Sequence, residues 1–464
     1  MPTSKKHWFD HIPHPITMLS GIIVIATLLS YILPAGLFER VLVDGRMRVL
    51  PGTFTYVNQS PIGILDMFVA FSKGFKTASD IIFVVLVSGI MFGILEKSKM
   101  IENAVGTIVK RMGLKRKYFI VVLMTFVFGF LGVAVGYENN IAMIPIGAML
   151  AIAIGGDLIL AAGISVAAIT VGFGLSPINP YTVGTGHKIA DLPMFSGALY
   201  RSLICFIGLS IMALYNVKYF KKITQYPEKR IGKGLDETSF SLTQKIDKYS
   251  MSFNNWMVAV VFVGGMIIML FGIFNHDWYL NEISAIFLMI ALVAGLVAKM
   301  SPTEISESVL RSVGIVAPGA FMVGFATTIK VILEMGQISD TIAYHLSEIL
   351  TTLPIYAAAI IMSFTQCLMN LLIPSGSGQA LATLPVMIPV GDIVGLSRQI
   401  TILAFQIGDG VTNLINPTLG GLIAMLSLCR VPFDRWLRFI FPLMLIMLIV
   451  SWLFLMISIA IQWS

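Results

Sequence analysis

Apolar stretches of roughly 18–22 residues recur along this chain, and short charged loops separate them. A helix of about 20 apolar residues spans the hydrocarbon core of a bilayer. Hydrophobic residues make up 57% of the 464 residues and charged residues only 12%, whereas a soluble domain carries about 25% charged residues. The sequence therefore predicts an all-α polytopic membrane protein.

The first apolar stretch, 15–32, follows Lys5 and Lys6 and has the form of a signal peptide. Because many spans follow it, we expect an uncleaved first transmembrane helix instead. The cysteines Cys205, Cys367 and Cys429 lie far apart in or beside apolar stretches, so they predict neither a metal site nor a disulfide framework.

The same dipeptide interrupts two of the apolar stretches. Asn179-Pro180 recurs as Asn416-Pro417, 237 residues later, and polar residues surround each copy. Proline removes a backbone donor and clashes with the preceding helical turn, so each copy should break its helix. Helices broken at corresponding positions of two halves are typical of the central site of secondary transporters.

Other short sequences recur at nearly the same offset, which indicates two repeats of low identity. Ile94-Leu95-Glu96 returns as Ile332-Leu333-Glu334, and Ser60-Pro61 returns as Ser301-Pro302. We therefore divide the chain into four parts. They are a first repeat that includes the first transmembrane helix (1–216), a cytoplasmic linker (217–253), an extra transmembrane helix (254–275) and a second repeat (276–464).

Lysine and arginine in the loops predict the orientation, because cytoplasmic loops are enriched in both. The run 110–117 is basic, and the segment 217–252 holds eight basic against four acidic residues. Both are therefore expected in the cytoplasm, and the loop 35–77 outside. The extra helix has no partner in the first half, so it inverts the second repeat. The N-terminus is then cytoplasmic and the C-terminus outside.

The segments 118–156 and 353–391 could each be two full crossings or one re-entrant hairpin. Gly136-Tyr137-Glu138-Asn139-Asn140 interrupts the first, and Pro374-Ser375-Gly376-Ser377-Gly378-Gln379 interrupts the second. Non-helical backbone at membrane depth is tolerated only where it is buried in protein or lines a cavity. These polar tips favour re-entrant hairpins, the first open to the cytoplasm and the second open to the outside.

Two hairpin tips and two broken helices should then converge near the middle of the membrane. Helix N-termini suit a substrate carboxylate, and unwound carbonyls with Asn, Ser and Thr oxygens suit Na⁺. A Na⁺ ion is expected near Asn139, Asn179 and Asn416. The candidate substrate-binding residues are Glu138, Asn139, Asn140, Ser176, Asn179, Ser375, Gly376, Ser377, Gln379, Asp409, Thr412, Asn413, Asn416 and Thr418.

Glu138 is the most informative of these residues, since an acid at membrane depth is costly unless it is paired or functional. It could bind a cationic amino group, carry a proton, or cap the helix that begins near Ile141. Asp409 could cap a helix, join a Na⁺ shell or contact substrate. The neutral side chains could bind a ligand or hold helices together.

Several charged residues outside the tips and breaks have simpler interpretations. Lys330 and Glu334 are expected to form an i,i+4 pair. His187 and Lys188 are expected in a solvated outer connector, and Arg201 at the membrane interface. No Walker A sequence, nucleotide fingerprint, metal-ligand pair or nucleophile elbow occurs, which argues against an ATP-driven pump and an enzyme. No soluble basic face indicates nucleic-acid binding.

The tip sequences IPSGSGQA (373–380) and GYENN (136–140), with the break sequences SPINPYTVG (176–184) and GDGVTNLINPT (408–418), resemble those of a known family. This is the anaerobic four-carbon dicarboxylate carrier (DcuC-like) family, and in particular its YfcC-like branch, described as basic amino-acid antiporters. The resemblance covers essentially the whole chain. It implies the inverted-repeat fold of the ion transporter superfamily, elevator-like alternating access, a bacterial inner-membrane location and often a homodimer.

The substrate that we expect differs from the dicarboxylate in the family's name. A dicarboxylate would require a nearby Arg or Lys, yet neither tip and neither break contains one, and Glu138 and Asp409 add negative charge. We therefore expect a secondary transporter of a small, basic or zwitterionic amino acid, as an antiporter or with a coupling Na⁺ or H⁺ and no other cofactor. The alternative is a Na⁺- or H⁺-coupled carrier of mono- or dicarboxylates. A channel would be a different class, distinguished by its conductance.

Overall fold

The structure, a computed structural model, describes residues 15–43, 46–50, 52–276, 278, 280–350 and 352–464. Most of these residues are helical. The α-helices are α1 (Pro15–Ile32), α2 (Ile64–Thr77), α3 (Ser79–Lys97), α4 (Met100–Met112), α5 (Lys117–Val135), α6 (Ile144–Ala153), α7 (Leu158–Ala162), α8 (Ala168–Gly174), α9 (Thr185–Ile189), α10 (Ala198–Gln225), α11 (Phe253–His276), α12 (Leu280–Val297), α13 (Pro302–Met335), α14 (Ser339–Leu350), α15 (Ile355–Leu372), α16 (Gly376–Val394), α17 (Arg398–Thr412), α18 (Gly420–Leu428) and α19 (Phe433–Ala460).

Eight of the described helices are long and apolar enough to cross a membrane: α3, α10, α11, α12, α13, α15, α16 and α19. The prediction of an all-α polytopic membrane protein is thereby confirmed. The extra helix α11 has exposed apolar side chains along its length, including Val263, Ile267 and Phe271, as expected of a lipid-facing helix. Lys5 and Lys6, which precede the first apolar stretch, lie outside the described residues.

The loop between α1 and α2 contains four short strands that the sequence did not predict. Strand β1 (Gly36–Leu37) pairs with β4 (Thr55–Tyr56), and β2 (Arg40–Val43) pairs with β3 (Arg46–Val49), both antiparallel. This loop packs against α14, because Arg40 Nη2 lies 2.7 Å from Asp340 Oδ1 and the ring of Phe54 stacks on Tyr344 at 4.2 Å.

The order of elements in the first half recurs in the second. Helices α2 and α3 cover 64–97, and the single helix α13 covers 302–335. Each is followed by a short helix, two helices joined at a polar tip, a helix that ends at an Asn-Pro break, and a long final helix. This recurrence agrees with two repeats, while their inversion across a membrane stays a prediction.

Close approaches at glycines hold helices together, both between the two halves and within the first half. At Gly89 in α3 an added methyl group would lie 2.6 Å from Val316 Cγ1 of α13. At Gly172 in α8 it would lie 2.8 Å from the carbonyl carbon of Gly129 in α5. Small residues allow such contacts between membrane helices, where dispersion and hydrogen bonds replace the hydrophobic effect as the driving force.

Within the predicted linker the chain between the helices is 226–252, because α10 continues to Gln225 and α11 begins at Phe253. Two buried carboxylates hold the intervening chain. Asp157 Oδ2 accepts a hydrogen bond from Tyr219 Oη at 2.8 Å and one from Gly232 N at 3.3 Å. The linker therefore lies against the ends of α7 and α10.

Glu102, in α4, is the second anchor of the linker. Its Oε1 accepts hydrogen bonds from Thr243 N (2.8 Å), Thr243 Oγ1 (2.6 Å) and Tyr249 Oη (2.6 Å). Burial acts to raise the pKa of the Glu102 carboxyl, but these hydrogen bonds outweigh it and the pKa lies below its usual value. The ionised carboxylate is thus the form that holds the linker.

We predict that Glu102→Ala releases residues 243–249 and speeds tryptic cleavage after Lys245 and Lys248 by about a hundredfold, since three hydrogen bonds of about 1 kcal/mol each are lost. Limited digestion followed by mass spectrometry measures this rate. Because the pKa of Glu102 is lowered by folding, protection should be complete at neutral pH and fall as acid protonates the carboxyl. Glu307→Ala, which removes an exposed acid from α13, is the control. Equal cleavage rates in the two variants would contradict the anchoring role.

Candidate functional site

The two broken helices cross at a pair of glycines. A methyl group added at Gly174, the last residue of α8, would lie 2.6 Å from Gly410 Cα in α17. Just beyond this crossing the helices end, at Leu175 and at Asn413. Glycine is required here because any side chain would separate the two backbones. The crossing therefore brings the two breaks side by side.

Helix α17 continues further than the sequence predicted. The sequence predicts Gly408, Asp409 and Gly410 as part of the break, but they lie in the final turns of α17, which ends at Thr412. Asp409 is therefore a residue of the helix and does not cap it. The interruption itself covers 413–419, before α18 begins at Gly420.

The asparagines of the two Asn-Pro pairs make the same local turn. Asn179 Oδ1 accepts a hydrogen bond from Tyr181 N at 2.9 Å, and Asn416 Oδ1 accepts one from Thr418 N at 3.0 Å. Such Asx turns replace the helical hydrogen bonds that proline forbids. Asn179 Nδ2 also donates to Phe173 O, in the last turn of α8, at 3.2 Å. The two asparagines thus stabilise the breaks from within.

A residue that the sequence analysis missed, Asn370, organises the second break. Its Nδ2 lies within hydrogen-bond distance of Asp409 O (2.8 Å), Thr412 Oγ1 (2.9 Å) and Asn413 Oδ1 (2.8 Å). Its backbone oxygen accepts from Asn416 Nδ2 at 2.8 Å. This explains why Thr412, Asn413 and Asn416 are buried: they hold α17 against α15.

A signal for Asn370 was present in the sequence. Ser363, Gln366 and Asn370 lie at i, i+3 and i+7 on α15, which places three polar side chains on one face of a membrane helix. All three are buried. Thr418 Oγ1 extends the same contact by donating to Leu371 O at 3.0 Å. The polar stripe on the apolar helix α15 therefore indicates the surface that contacts the second break.

The second hairpin tip is the more accessible one. Ser375 is exposed, Gly376 and Ser377 are partly exposed, and Ser375 Oγ accepts from Gly378 N at the start of α16. Gln379, in contrast, is buried, and its Nε2 donates to Gln366 O at 2.9 Å. Gln379 thus joins the two arms of the hairpin, while the serines and Gly376 form its tip.

The first hairpin tip turns at Gly136, whose φ of 107° is accessible to glycine and strained for other residues. Asn140 Nδ2 donates to Gly136 O at 2.6 Å and closes the turn. Asn139 and Asn140 are both buried, and Glu138 between them and the turn is partly exposed. From the neighbouring break, Ser176 Oγ donates to Val133 O of α5 at 3.2 Å.

Each of the two acids lies beside the N-terminus of a helix from another part of the chain. A methyl group added at Gly421, near the start of α18, would lie 3.3 Å from Glu138 Oε1. One added at Gly376, the first residue of α16, would lie 3.2 Å from Asp409 Oδ2. Helix N-termini carry unpaired N–H groups and a positive dipole end, which favour a carboxylate.

Of the three roles open to Glu138, capping of the helix after its own tip is the one that the structure does not show. Residues 138–143 form a 3₁₀ segment, and α6 begins only at Ile144, without a side-chain cap. Glu138 instead reaches α18, on the far side of the second break. Asp409 thus lies beside the second tip, and Glu138 beside the helix that follows the second break. Two acids from different halves of the chain therefore share one region.

Four buried oxygen atoms near the tips and breaks have no hydrogen-bond partner within the described ranges. They are Asn140 Oδ1, Thr182 Oγ1, Gln379 Oε1 and Asp409 Oδ1. A buried oxygen without a donor costs about 1–3 kcal/mol, so a cationic or donor ligand would be stabilised beside any of them. Over the same ranges, no cluster of three His, Cys, Asp or Glu side chains could hold a metal ion.

Arg201 lies near the start of α10, at a helix end as predicted, and it is buried in the protein. Its Nε donates to Gln406 Oε1 at 3.1 Å, and its Nη1 donates to Gln399 Oε1 at 2.8 Å. Gln406 Nε2 donates in turn to Ser176 O, in the first break, at 2.7 Å. The guanidinium thus fixes the orientation of Gln406 and, through it, the start of the break.

His187 is also buried, in contrast to the solvated connector predicted for it. Its Nδ1 accepts from Phe195 N at 2.9 Å, and its Nε2 lies 3.3 Å from Gln399 Oε1. Lys330 and Glu334 form the expected pair on α13, at 3.6 Å. His187 therefore belongs to the polar network of Arg201, and the lysine–glutamate pair lies apart from it.

We predict that Arg201→Lys lowers the free energy of unfolding by about 2–4 kcal/mol, because an ammonium group cannot satisfy both glutamines and the backbone acceptors of the guanidinium. Thermal unfolding of the purified protein measures this. Arg398→Lys, on the accessible end of α17, is the matched control and should change stability by less than about 1 kcal/mol. Equal stability of the two variants would show that the buried network contributes little.

Comparison with known proteins concerns the chain as a whole. The family described as "DcuC: C4-dicarboxylate anaerobic carrier" matches residues 12–460. A protein from Escherichia coli K12, named "Putative basic amino acid antiporter YfcC", is 27% identical over 92% of each chain. Two solved structures have a weaker likeness. MtrF of Neisseria gonorrhoeae, described among antimetabolite efflux pumps, has 17% identity and a TM-score of 0.46 over 96% of this chain and 95% of its own.

The YdaH transporter of Alcanivorax borkumensis has 16% identity and a TM-score of 0.47 over 97% of this chain and 99% of its own. Neither structure bears on the details of the site. The family match, in contrast, spans nearly the whole chain and concerns a family of transporters, not of enzymes. This protein belongs to the DcuC family of C4-dicarboxylate anaerobic carriers.

Proposed function

We propose that this member of the family transports a basic amino acid across the bacterial inner membrane, by exchange or with a coupling cation. The observation that carries the proposal is the position of the two acids: Glu138 and Asp409 each lie at a helix N-terminus beside the breaks. In a transporter for anions, these positive ends would be the natural places for a substrate carboxylate. Here carboxylates of the protein already lie beside both.

The charge balance supports a cationic substrate. The tips and breaks contain two acids and no Lys or Arg. Arg201 is the buried cation nearest to a break along the described hydrogen bonds, and Gln406 lies between it and Ser176. A dicarboxylate would meet two negative charges with no guanidinium to bind it, whereas an amino or guanidino group would be attracted.

Most of the unpartnered atoms support the same class of ligand. Asp409 Oδ1, Asn140 Oδ1 and Gln379 Oε1 can only accept and the Thr182 hydroxyl can also accept, whereas amino or guanidino groups supply only donors. Gln366 Nε2 is an unpartnered donor beside Gln379. YfcC, which shares 27% identity, is named as a basic amino acid antiporter. The partly exposed Glu138 is the residue that we assign to the amino group or side chain of the substrate.

The transport mechanism that fits is alternating access around a site near the middle of the membrane. In this proposal the two tips are re-entrant hairpins of inverted repeats, and each seals one face. The burial of Asn139, Asn179, Asp409 and Asn416, each 2% exposed or less, agrees with a closed arrangement. A homodimer and an outside C-terminus remain part of the proposal.

A coupling ion would bind beside the substrate. A Na⁺ ion near Asn139, Asn179 and Asn416 would be held mainly by backbone carbonyls of the breaks, because the Oδ1 atoms of Asn179 and Asn416 already accept backbone hydrogen bonds. The proposed substrate site consists of Glu138, Ser176, Ser375, Gly376, Ser377 and Asp409. The remaining candidate residues hold the tips and breaks in position around it.

The second candidate function has the same fold but an anionic substrate. Na⁺ or H⁺ at Glu138 and Asp409 would neutralise both acids, and a mono- or dicarboxylate could then bind at the tips. The family description, which refers to C4-dicarboxylates, favours this candidate. The two candidates differ in whether the acids contact the substrate or only the coupling ion.

We predict that Glu138→Gln weakens arginine binding by about tenfold to a hundredfold, because a charge-assisted contact of about 1.5–3 kcal/mol is lost. The concentration dependence of the arginine-induced thermal shift of purified protein measures the affinity. Glu334→Gln, on the exposed end of α13, is the control and should bind like the wild type. If the wild type were stabilised by succinate and not by arginine, the second candidate would replace the first.

The variant Asp409→Asn tests whether Asp409 binds the substrate or couples transport to a cation gradient. Asp409, in α17, is buried next to the first residue of α16. We therefore expect its neutralisation to lower transport by more than about tenfold in either candidate function. With a coupling role, the variant should still exchange internal for external arginine but lose its response to an imposed Na⁺ or pH gradient. Proteoliposome uptake measures both. A wild-type response to the gradients would exclude Asp409 from coupling.

A further inference from the structure

A groove of about 420 Å³ lies at the C-terminal end of α10 and is unrelated to the tips and breaks. Lys218, Lys221 and Lys222 line it together with Leu214, Val217 and Tyr226. It therefore combines lysines with apolar side chains, of which Leu214 and Val217 precede the lysines along α10 and Tyr226 follows them. Lysines are expected near a helix C-terminus, whose dipole favours them, but the dipole does not explain an apolar wall beside them.

The positive charge of the groove has no acidic partner. Within the part of the chain that the structure describes, Lys117, Lys218, Lys221 and Lys222 form no ion pair. Lys117 and Lys221 flank the ring of Tyr118, at 5.3 and 5.5 Å from its centroid. Four cations are thus concentrated between the start of α5 and the end of α10, and together they favour an anion.

The apolar side of the groove continues a lipid-facing surface. Leu203, Phe206 and Leu214 are 48%, 61% and 68% exposed, and their spacing places them on the face of α10 that leads to Lys218 and Lys221. The positive-inside pattern predicts that this end of α10 meets the cytoplasmic leaflet, where anionic headgroups lie. A molecule with apolar chains and an anionic head would match both sides.

We propose that this groove is a binding site for an anionic phospholipid. The phosphate lies among Lys218, Lys221 and Lys222, and an acyl chain follows Leu214 and Phe206 along α10. A soluble phosphate would use only the lysines, and a zwitterionic lipid would bring a cation next to them. The site anchors the end of α10 to the leaflet, independently of the substrate that the protein carries.

Native mass spectrometry of the delipidated full-length protein tests the proposal. The probes are phosphatidylglycerol and phosphatidylcholine with matched acyl chains. The variant is Lys218→Gln/Lys221→Gln/Lys222→Gln. The control is Lys97→Gln/Lys99→Gln/Lys299→Gln, which removes three exposed lysines beside other helix ends. Thermal unfolding of both variants verifies that each is folded.

We expect the wild type and the control to bind phosphatidylglycerol at least about tenfold more tightly than phosphatidylcholine, and the groove variant to lose this preference. Millimolar inorganic phosphate should not displace the lipid. Equal retention of phosphatidylglycerol by the folded groove variant would overturn the proposal. Full displacement by phosphate would also overturn it, because the site would then recognise a free anion and not a lipid.

Discussion

The structure depends on the hydrogen bonds that the backbone N–H and C=O groups find where two membrane helices end in the protein interior. Unpaired N–H and C=O groups at membrane depth cost several kcal/mol each, so a break persists only where side chains replace the lost hydrogen bonds. Asn179 and Asn416 do this locally, by Asx turns. Asn370 and Gln406 do it from neighbouring helices. The crossing of α8 and α17 at Gly174 and Gly410 then brings the two breaks together.

This requirement divides the polar residues into two groups. Asn140, Gln379, Thr412, Asn413 and Thr418 mainly hold the tips and breaks in place, because their hydrogen bonds go to the backbone or to each other. Glu138 and Asp409 remain as the charged groups of the region, and helix N-termini make both tolerable in a membrane protein. In the proposal, the same two acids determine the charge of the substrate.

Much of this arrangement could be predicted from the sequence, since apolar length, proline position and glycine content are local properties. The spans, the two Asn-Pro breaks and the polar tips were found in this way. The partners of Glu138 and Arg201 could not be predicted. Glu138 reaches Gly421 and Arg201 reaches Gln399 across more than 190 residues of sequence, and only packing determines such pairs. The sequence places Arg201 near a helix end, and the distant helix α17 covers it in the structure.

The central claim is that the region between the tips carries a cation. Counterflow into proteoliposomes loaded with unlabelled arginine tests it most directly, because exchange requires only binding and reorientation. We predict that external radiolabelled arginine or lysine accumulates against its labelled gradient, and that radiolabelled succinate does not. Accumulation of label in succinate-loaded vesicles given external succinate, with no exchange of arginine, would contradict this claim.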